Sequence, residues 1–287
     1  MGGKGMQGNI ILKDVVQKFG EKEVLKGISL TIQSGEIFGL LGPSGAGKTT
    51  IIKIITGQLR PTGGSAVTAG REASQINGRM YKRMGMMLDS YGLYGRLSCY
   101  DNLKLFAKIY EVPLRRIDEV LQKVGLSDAR KCPVEKLSKG MRGRLVLARA
   151  VMNEPEILFL DEPTSGLDPA TTNQIHKLIL EEQAKGTTIF LTTHNMAEAE
   201  KLCHHVALLH EGTIVEYGEP KEICRKYNHQ NKLQIRLYDG TCMEIKNGRE
   251  AAESVREYLE SGSIETIHST EPNLESVFME LTGKSLV

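Results

Sequence analysis

The chain has 287 residues, with 37 Lys plus Arg against 35 Asp plus Glu and a formal net charge of +2. That length permits one large α/β domain, alone or with a small appendix, and the near balance of charge excludes a global field for holding nucleic acid. Apolar runs such as Ile157–Leu160 and Ile189–Leu191 fall far short of the ~18 residues that suggest a membrane-spanning helix, so any phosphate chemistry is expected to be local. Residues 1–9, opening Met1-Gly2-Gly3-Lys4-Gly5, read as a disordered start with neither an apolar leader nor a Ser or Thr at position 6. Cys99, Cys132, Cys203, Cys224 and Cys242 form no Cys-x-x-Cys pair and read as free thiols.

In chain order, Ile28 to Ile32 alternates apolar and polar residues, the pattern of a half-buried edge strand. Gly35 to Gly42 is nearly continuously apolar, which suits a strand covered on both faces, and a glycine-rich turn and a helix from Lys48 to Ile55 follow. Residues 98–153 read as a mostly helical insertion, with Ile117, Val120, Leu121 and Val124 on one face. Buried strands are expected at Ile157–Leu160 and Thr188–Thr192. Between them Asp168 caps a helix whose first turn holds Pro169 and whose stripe is Ile175, Leu178 and Ile179. Asn195 opens another helix, with Glu198 placed to complete a capping-box-like pair.

After Gly218 the pattern changes. Leu233, Ile235 and Leu237, an Asp239-Gly240 turn, then Met243 and Ile245 predict a hairpin. Helices near 249–259 and 274–281 and a strand at 264–267 complete a small α+β appendix. The division expected is therefore a domain over 10–218 and an appendix over 219–287.

Three clusters carry chemistry. Gly42-Pro43-Ser44-Gly45-Ala46-Gly47-Lys48-Thr49 has the P-loop pattern between a buried strand and a helix, the context the motif requires. Its glycines let backbone N–H groups face phosphate oxygens, Lys48 adds a charge, and the Thr49 hydroxyl suits Mg²⁺. Asp161 and Glu162 end a buried strand, where Asp161 would reach the Mg²⁺ shell and Glu162 would act as general base. His194 ends the next predicted strand and would contact the γ-phosphate while holding the attacking water and Glu162 in register.

The order of the P-loop, Leu137-Ser138-Lys139-Gly140-Met141, Asp161-Glu162, Ser165-Gly166-Leu167-Asp168 and His194 resembles that of ABC transporter ATPases over about residues 10–218. The resemblance implies an α/β P-loop ATPase fold with a parallel core sheet, an antiparallel N-terminal sheet and a helical subdomain. It implies ATP and Mg²⁺ as ligands, Gly42, Ser44, Gly45, Gly47, Lys48, Thr49 and Thr50 around the phosphates, and Phe19 stacked on adenine. It also implies a head-to-tail homodimer in which Ser138 and Gly140 of one copy close over the nucleotide of the other, with Asp168 in the segment linking the two sites.

Lys139 stands where the family signature has glycine, and Met141 where it has glutamine; binding and dimerisation are expected to survive both. Asp89 falls where the family has a glutamine, so a retained Mg²⁺ contact with altered coupling is expected. The ending Glu271 to Gly283 is similar to that of ATPases from the drug- and antibiotic-resistance exporters, the daunorubicin and bacitracin types. Partners so implied are transmembrane permease subunits, which would place the chain at the cytoplasmic face of a membrane, and no nucleic acid. Tyr91, Leu93, Tyr94, Leu97 and Tyr100 offer a patch for the permease contact or simple packing. Two other readings stay open: a non-transport ATPase of the same family acting on a macromolecular complex, and a module that holds ATP without turnover, against which Glu162 and His194 speak.

Overall fold

The computed structural model describes residues 9–88, 92–229 and 231–283. In chain order, β1 (Ile10–Phe19) and β2 (Lys22–Ile32) form a hairpin and β3 (Ile37–Leu41) leads into α1 (Lys48–Ile55). Then come β4 (Gly63–Thr68), β5 (Arg71–Glu72), α2 (Gly78–Tyr81) and β6 (Met84–Met87). The helical stretch holds α3 (Cys99–Tyr110), α4 (Arg115–Lys123) and α5 (Lys139–Val151). After it follow β7 (Ile157–Asp161), α6 (Pro169–Ala184), β8 (Thr188–Thr193), α7 (Met196–Leu202), β9 (His205–His210) and β10 (Thr213–Gly218). One compact unit ends at Gly218 and a second begins at Glu219. The second contains α8 (Pro220–Lys226), β11 (Lys232–Leu237), β12 (Cys242–Lys246), α9 (Arg249–Glu260), β13 (Ile264–Ser269) and α10 (Leu274–Thr282).

Two sheets build the first unit. The antiparallel one has the order β2-β1-β4-β5, and β2, at its edge, buries Ile28, Leu30 and Ile32 while exposing Ser29 and Thr31. The larger sheet has the order β10-β9-β3-β8-β7-β6, parallel except for the β9–β10 pair. Every residue of β3, β7 and β8 is buried, as expected of strands covered on both faces. The register sets Phe38, Phe190 and Phe159 side by side across these three strands, with ring centroids 5.6 and 6.1 Å apart. Burying such a ring stabilises by roughly 1.5–3 kcal/mol, and the row fixes the strand ends relative to one another.

In the helical stretch Ile117, Val120 and Leu121 of α4 are buried, as is Val124 just beyond it. The start differs slightly from expectation: Asn9 is held in place, its amide donating to Thr188 Oγ1 at 2.8 Å and Ser34 Oγ at 3.2 Å. Asn195 does cap α7, accepting from the Glu198 amide at 3.1 Å, but the Glu198 side chain turns inward and no reciprocal box forms.

The second unit is a three-stranded antiparallel sheet of order β12-β11-β13. The β11–β12 turn is longer than a two-residue loop: Gly240 N donates to Leu237 O at 3.0 Å, and Leu237 N to Thr241 O at 2.9 Å. Gly240 takes φ +89, the left-handed position that a turn followed by a one-residue bulge requires. α10 buries Leu274, Val277 and Phe278, whereas Leu281 is only partly covered. Among the described residues no helix is long and apolar enough to cross a membrane.

Candidate functional site

The sheet order places β3, β8 and β7 side by side, so their carboxyl ends form one edge, where open α/β sheets bind ligands. β3 runs into the glycine loop, β7 ends at Asp161 and β8 is followed by His194. The loop is shaped by close approach. A Cβ on Gly42 would lie 2.3 Å from the Leu209 carbonyl oxygen, and one on Gly47, at φ +114, would lie 2.7 Å from Leu25 Cδ2. α1 has no side-chain cap at its N-terminus, which leaves its first N–H groups for an anion.

Lys48 is folded back into this loop. Its ammonium donates to the carbonyl oxygens of Gly42 at 2.5 Å and Pro43 at 3.2 Å, and lies 3.8 Å from Glu162 Oε1. Glu162 extends the β7–β8 ladder by one bond, its N–H donating to Thr192 O at 3.0 Å. Its backbone then turns at φ +49, a conformation that costs of order 1–3 kcal/mol for a non-glycine residue and persists where the surroundings impose it. The result aims its carboxylate at two partners, Lys48 and His194, whose Nδ1 lies 2.9 Å from Glu162 Oε2. The His194 side chain is half exposed while Lys48 is buried.

Asp161 is buried and accepts a hydrogen bond from the Thr192 hydroxyl. Sequence reading took Thr192 only as a strand residue; its facing position on β8, paired with Asp161 in the register, is what makes it an orienting partner. A carboxylate held in this way and the Thr49 hydroxyl are hard oxygen donors, the type of ligand that suits Mg²⁺.

The other expected residues fall into two groups. Ser44, Gly45 and Thr49 are exposed on the loop and first turn of α1, and Thr50 is partly buried. Ser138 caps α5, accepting from the Met141 amide at 3.2 Å. A Cβ on Gly140 would lie 2.9 Å from Leu167 Cδ2, so the first turn of α5 packs on the 163–168 segment of the same chain. Lys139 and Leu167 line a cleft with Asp161 and Glu162. Asp168 caps α6, accepting from Thr171 N at 3.0 Å and from its hydroxyl, and those bonds hold its carboxyl below the usual range. Phe19 ends β1 with its ring half exposed and takes no part in the Lys48, Glu162 and His194 cluster. Asp89 and Tyr91 lie outside the described residues. Of the aromatic patch, Tyr94 is exposed and Tyr100 lies under the Arg130 guanidinium at 3.8 Å.

A glycine loop between a buried strand and a helix, its lysine folded inward and a carboxylate pair two strands away, defines a P-loop nucleoside-triphosphate hydrolase. Residues 25–165 match the family described as ABC transporter. A fluoroquinolones export ATP-binding protein of Mycobacterium tuberculosis is 40% identical over 266 residues, covering 91% of this chain and 88% of its own. A linearmycin resistance ATP-binding protein of Bacillus subtilis is 30% identical over 305 residues, covering 96% and 98%. Among solved structures, a dimeric ATP-binding cassette in a post-hydrolysis state, bound to ADP and Pi, aligns with a TM-score of 0.67 at 26% identity, over 73% of this chain and 98% of its own. This chain belongs to the ABC transporter family as an ATP-binding subunit, and its enzymatic class is ATPase.

Proposed function

We propose that this subunit drives export, through separate transmembrane permease subunits, of a drug, antibiotic peptide or lipid-like cargo. The relatives named for fluoroquinolone export and linearmycin resistance support that cargo class, and such a role would hold the chain at the cytoplasmic face of a membrane. The observation that carries the mechanism is the convergence of Lys48, Glu162 and His194.

In this reading the N–H groups of residues 42–49 and the Lys48 ammonium take the β- and γ-phosphates, and Phe19 stacks on adenine. Thr49 and Asp161 would hold Mg²⁺, with Asp89 as a further ligand, and the bound ion would supply positive charge to the phosphates. Glu162 accepts the proton of a water that attacks the γ-phosphorus in line, the bond to the ADP oxygen breaks, and ADP leaves. His194 fixes the Glu162 carboxylate and contacts the γ-phosphate. Ser138 and Gly140 of a second copy close over the nucleotide from the opposite side, and Asp168 links the two sites. The dimeric state of the related ATP-binding cassette supports this arrangement.

The test is MgATP hydrolysis by wild type and Glu162→Gln together with size-exclusion chromatography in ATP. The expected result is a loss of turnover of about 10²–10⁴-fold and an ATP-dependent dimer trapped by the variant. Unchanged turnover with no such dimer removes the mechanism. An Asp89→Gln protein with unaltered hydrolysis rate and Mg²⁺ dependence in that assay, and unaltered transport in membranes that contain the permease, would remove the role given to Asp89.

A further inference from the structure

The α6–α7 interface holds a buried polar cluster that the mechanism above does not use. Glu198 is 2% exposed and His176 6% exposed. Glu198 Oε1 accepts the Thr164 hydroxyl at 2.7 Å and lies 2.9 Å from His176 Nε2. Among the described residues, Glu198 Oε2 and His176 Nδ1 are buried with no hydrogen-bond partner. A half-satisfied buried carboxylate is a costly way to join two helices, because an apolar pair of similar volume usually does so at least as well.

Its place in the chain suggests what it does. Thr164 is two residues beyond Glu162, and Glu198 is four beyond His194, on the helix that Asn195 opens. Glu162 has its left-handed backbone fixed on one side by its N–H bond to Thr192, and the next side-chain anchor along the chain is Thr164. His176 joins the same carboxylate from α6, whose N-terminus is the other end of the 163–168 segment.

We infer that Glu198 is a positioning residue for ATP hydrolysis: through Thr164 it holds the segment leaving Glu162 in register with the start of α7, and so with His194. This rests on the catalytic roles proposed for Glu162 and His194. Thr164 acts on the orientation of the Glu162 carboxylate and not on nucleotide affinity. His176 limits the rotation of the Glu198 side chain.

The test uses the full chain with Thr164→Val, Thr164→Ser and Glu198→Met, alone and, for Thr164→Val, combined with Glu162→Gln. A misplacement near 1 Å costs up to about a hundredfold. Thr164→Val and Glu198→Met, which remove the donor and the acceptor of that bond, are therefore expected to lower kcat roughly ten- to a hundredfold with the KM for ATP little changed, and Thr164→Ser to retain most activity. Adding Thr164→Val to Glu162→Gln should cause little further loss, because the two act as one unit. The inference is overturned if kcat stays at the wild-type value in Thr164→Val, if its fall follows the fall in thermal midpoint, or if the double variant shows the full additional loss. Should Glu198→Met fail to fold, the valine and serine pair at the partly exposed Thr164 still decides. Failure of the catalytic reading itself is distinguishable, since Glu162→Gln alone would then leave kcat unchanged.

Discussion

The two compact units use strands in opposite ways. In the first, β3, β7 and β8 are buried along their whole length, so their chemistry collects at one end, where Lys48, Asp161, Glu162 and His194 follow. In the second, β11 buries Ile235 and Leu237 and exposes Gln234 and Arg236, while β12 and β13 are largely open. Its polar groups pair along the sheet surface: Gln234 and Lys232 with Glu244, and Arg236 with Glu265. The bonds from Gln234 and then Lys232 hold the Glu244 carboxyl below its usual range, yet exposed pairs of this kind contribute little to stability. A sheet covered on both faces concentrates function at its edge. One covered on a single face spreads polar groups where solvent screens them.

Two lysines give the strongest contrast. Lys48→Ala removes a buried charge from the proposed phosphate site, and ATP hydrolysis should fall by at least about a hundredfold. Lys232→Ala removes an exposed partner of Glu244 and should leave turnover unchanged within error. Steady-state phosphate release measures both, and an equal loss in the two would break the contrast.

A buried phenylalanine tests whether the units are separable in energy. Phe278→Ala in α10 should destabilise the second unit by about 3–5 kcal/mol, comparable with the whole stability of a small domain. Calorimetry should then show an early transition ahead of the main one, with kcat retained. Phe190→Ala, of similar cost, should lower the main transition and the activity together. If the first variant loses activity with its early transition, hydrolysis depends on the second unit.

Much of this was legible because it is local in sequence. The continuous apolar runs ending in Asp161-Glu162 and before His194 gave the buried strands, and the glycine spacing gave the loop between β3 and α1. The Ile175, Leu178 and Ile179 stripe, with Asp168 and Pro169 at its head, gave α6. What was not legible depends on long-range pairing. The Thr192 hydroxyl reaches Asp161 because β7 and β8 are in register, and no periodicity announces that. Glu198 sits where a capping box would place it, but burial between α6 and α7 turns its carboxylate toward Thr164 and His176. The left-handed backbone of Glu162, at the last ladder bond to Thr192, has no signature in the residue type.

The smallest effect separates two helix caps that are alike in physics. Asn273 accepts from the Ser276 amide at 2.8 Å, and the Ser276 hydroxyl accepts from the Asn273 amide at 3.0 Å, closing a capping box on α10. Ser138 accepts from the Met141 amide at 3.2 Å at the head of α5. Replacing either by alanine should remove about 1 kcal/mol of stability, visible as a small fall in the unfolding midpoint. Only Ser138→Ala should also slow hydrolysis, because its exposed hydroxyl is proposed to meet the γ-phosphate of a second copy. The cap and the phosphate contact can share one hydroxyl, because a lone pair of its oxygen accepts from Met141 N–H while its proton is donated to phosphate. Matched thermal shifts with unmatched kcat would therefore assign the second role to Ser138, whereas matched kcat would leave it a cap alone.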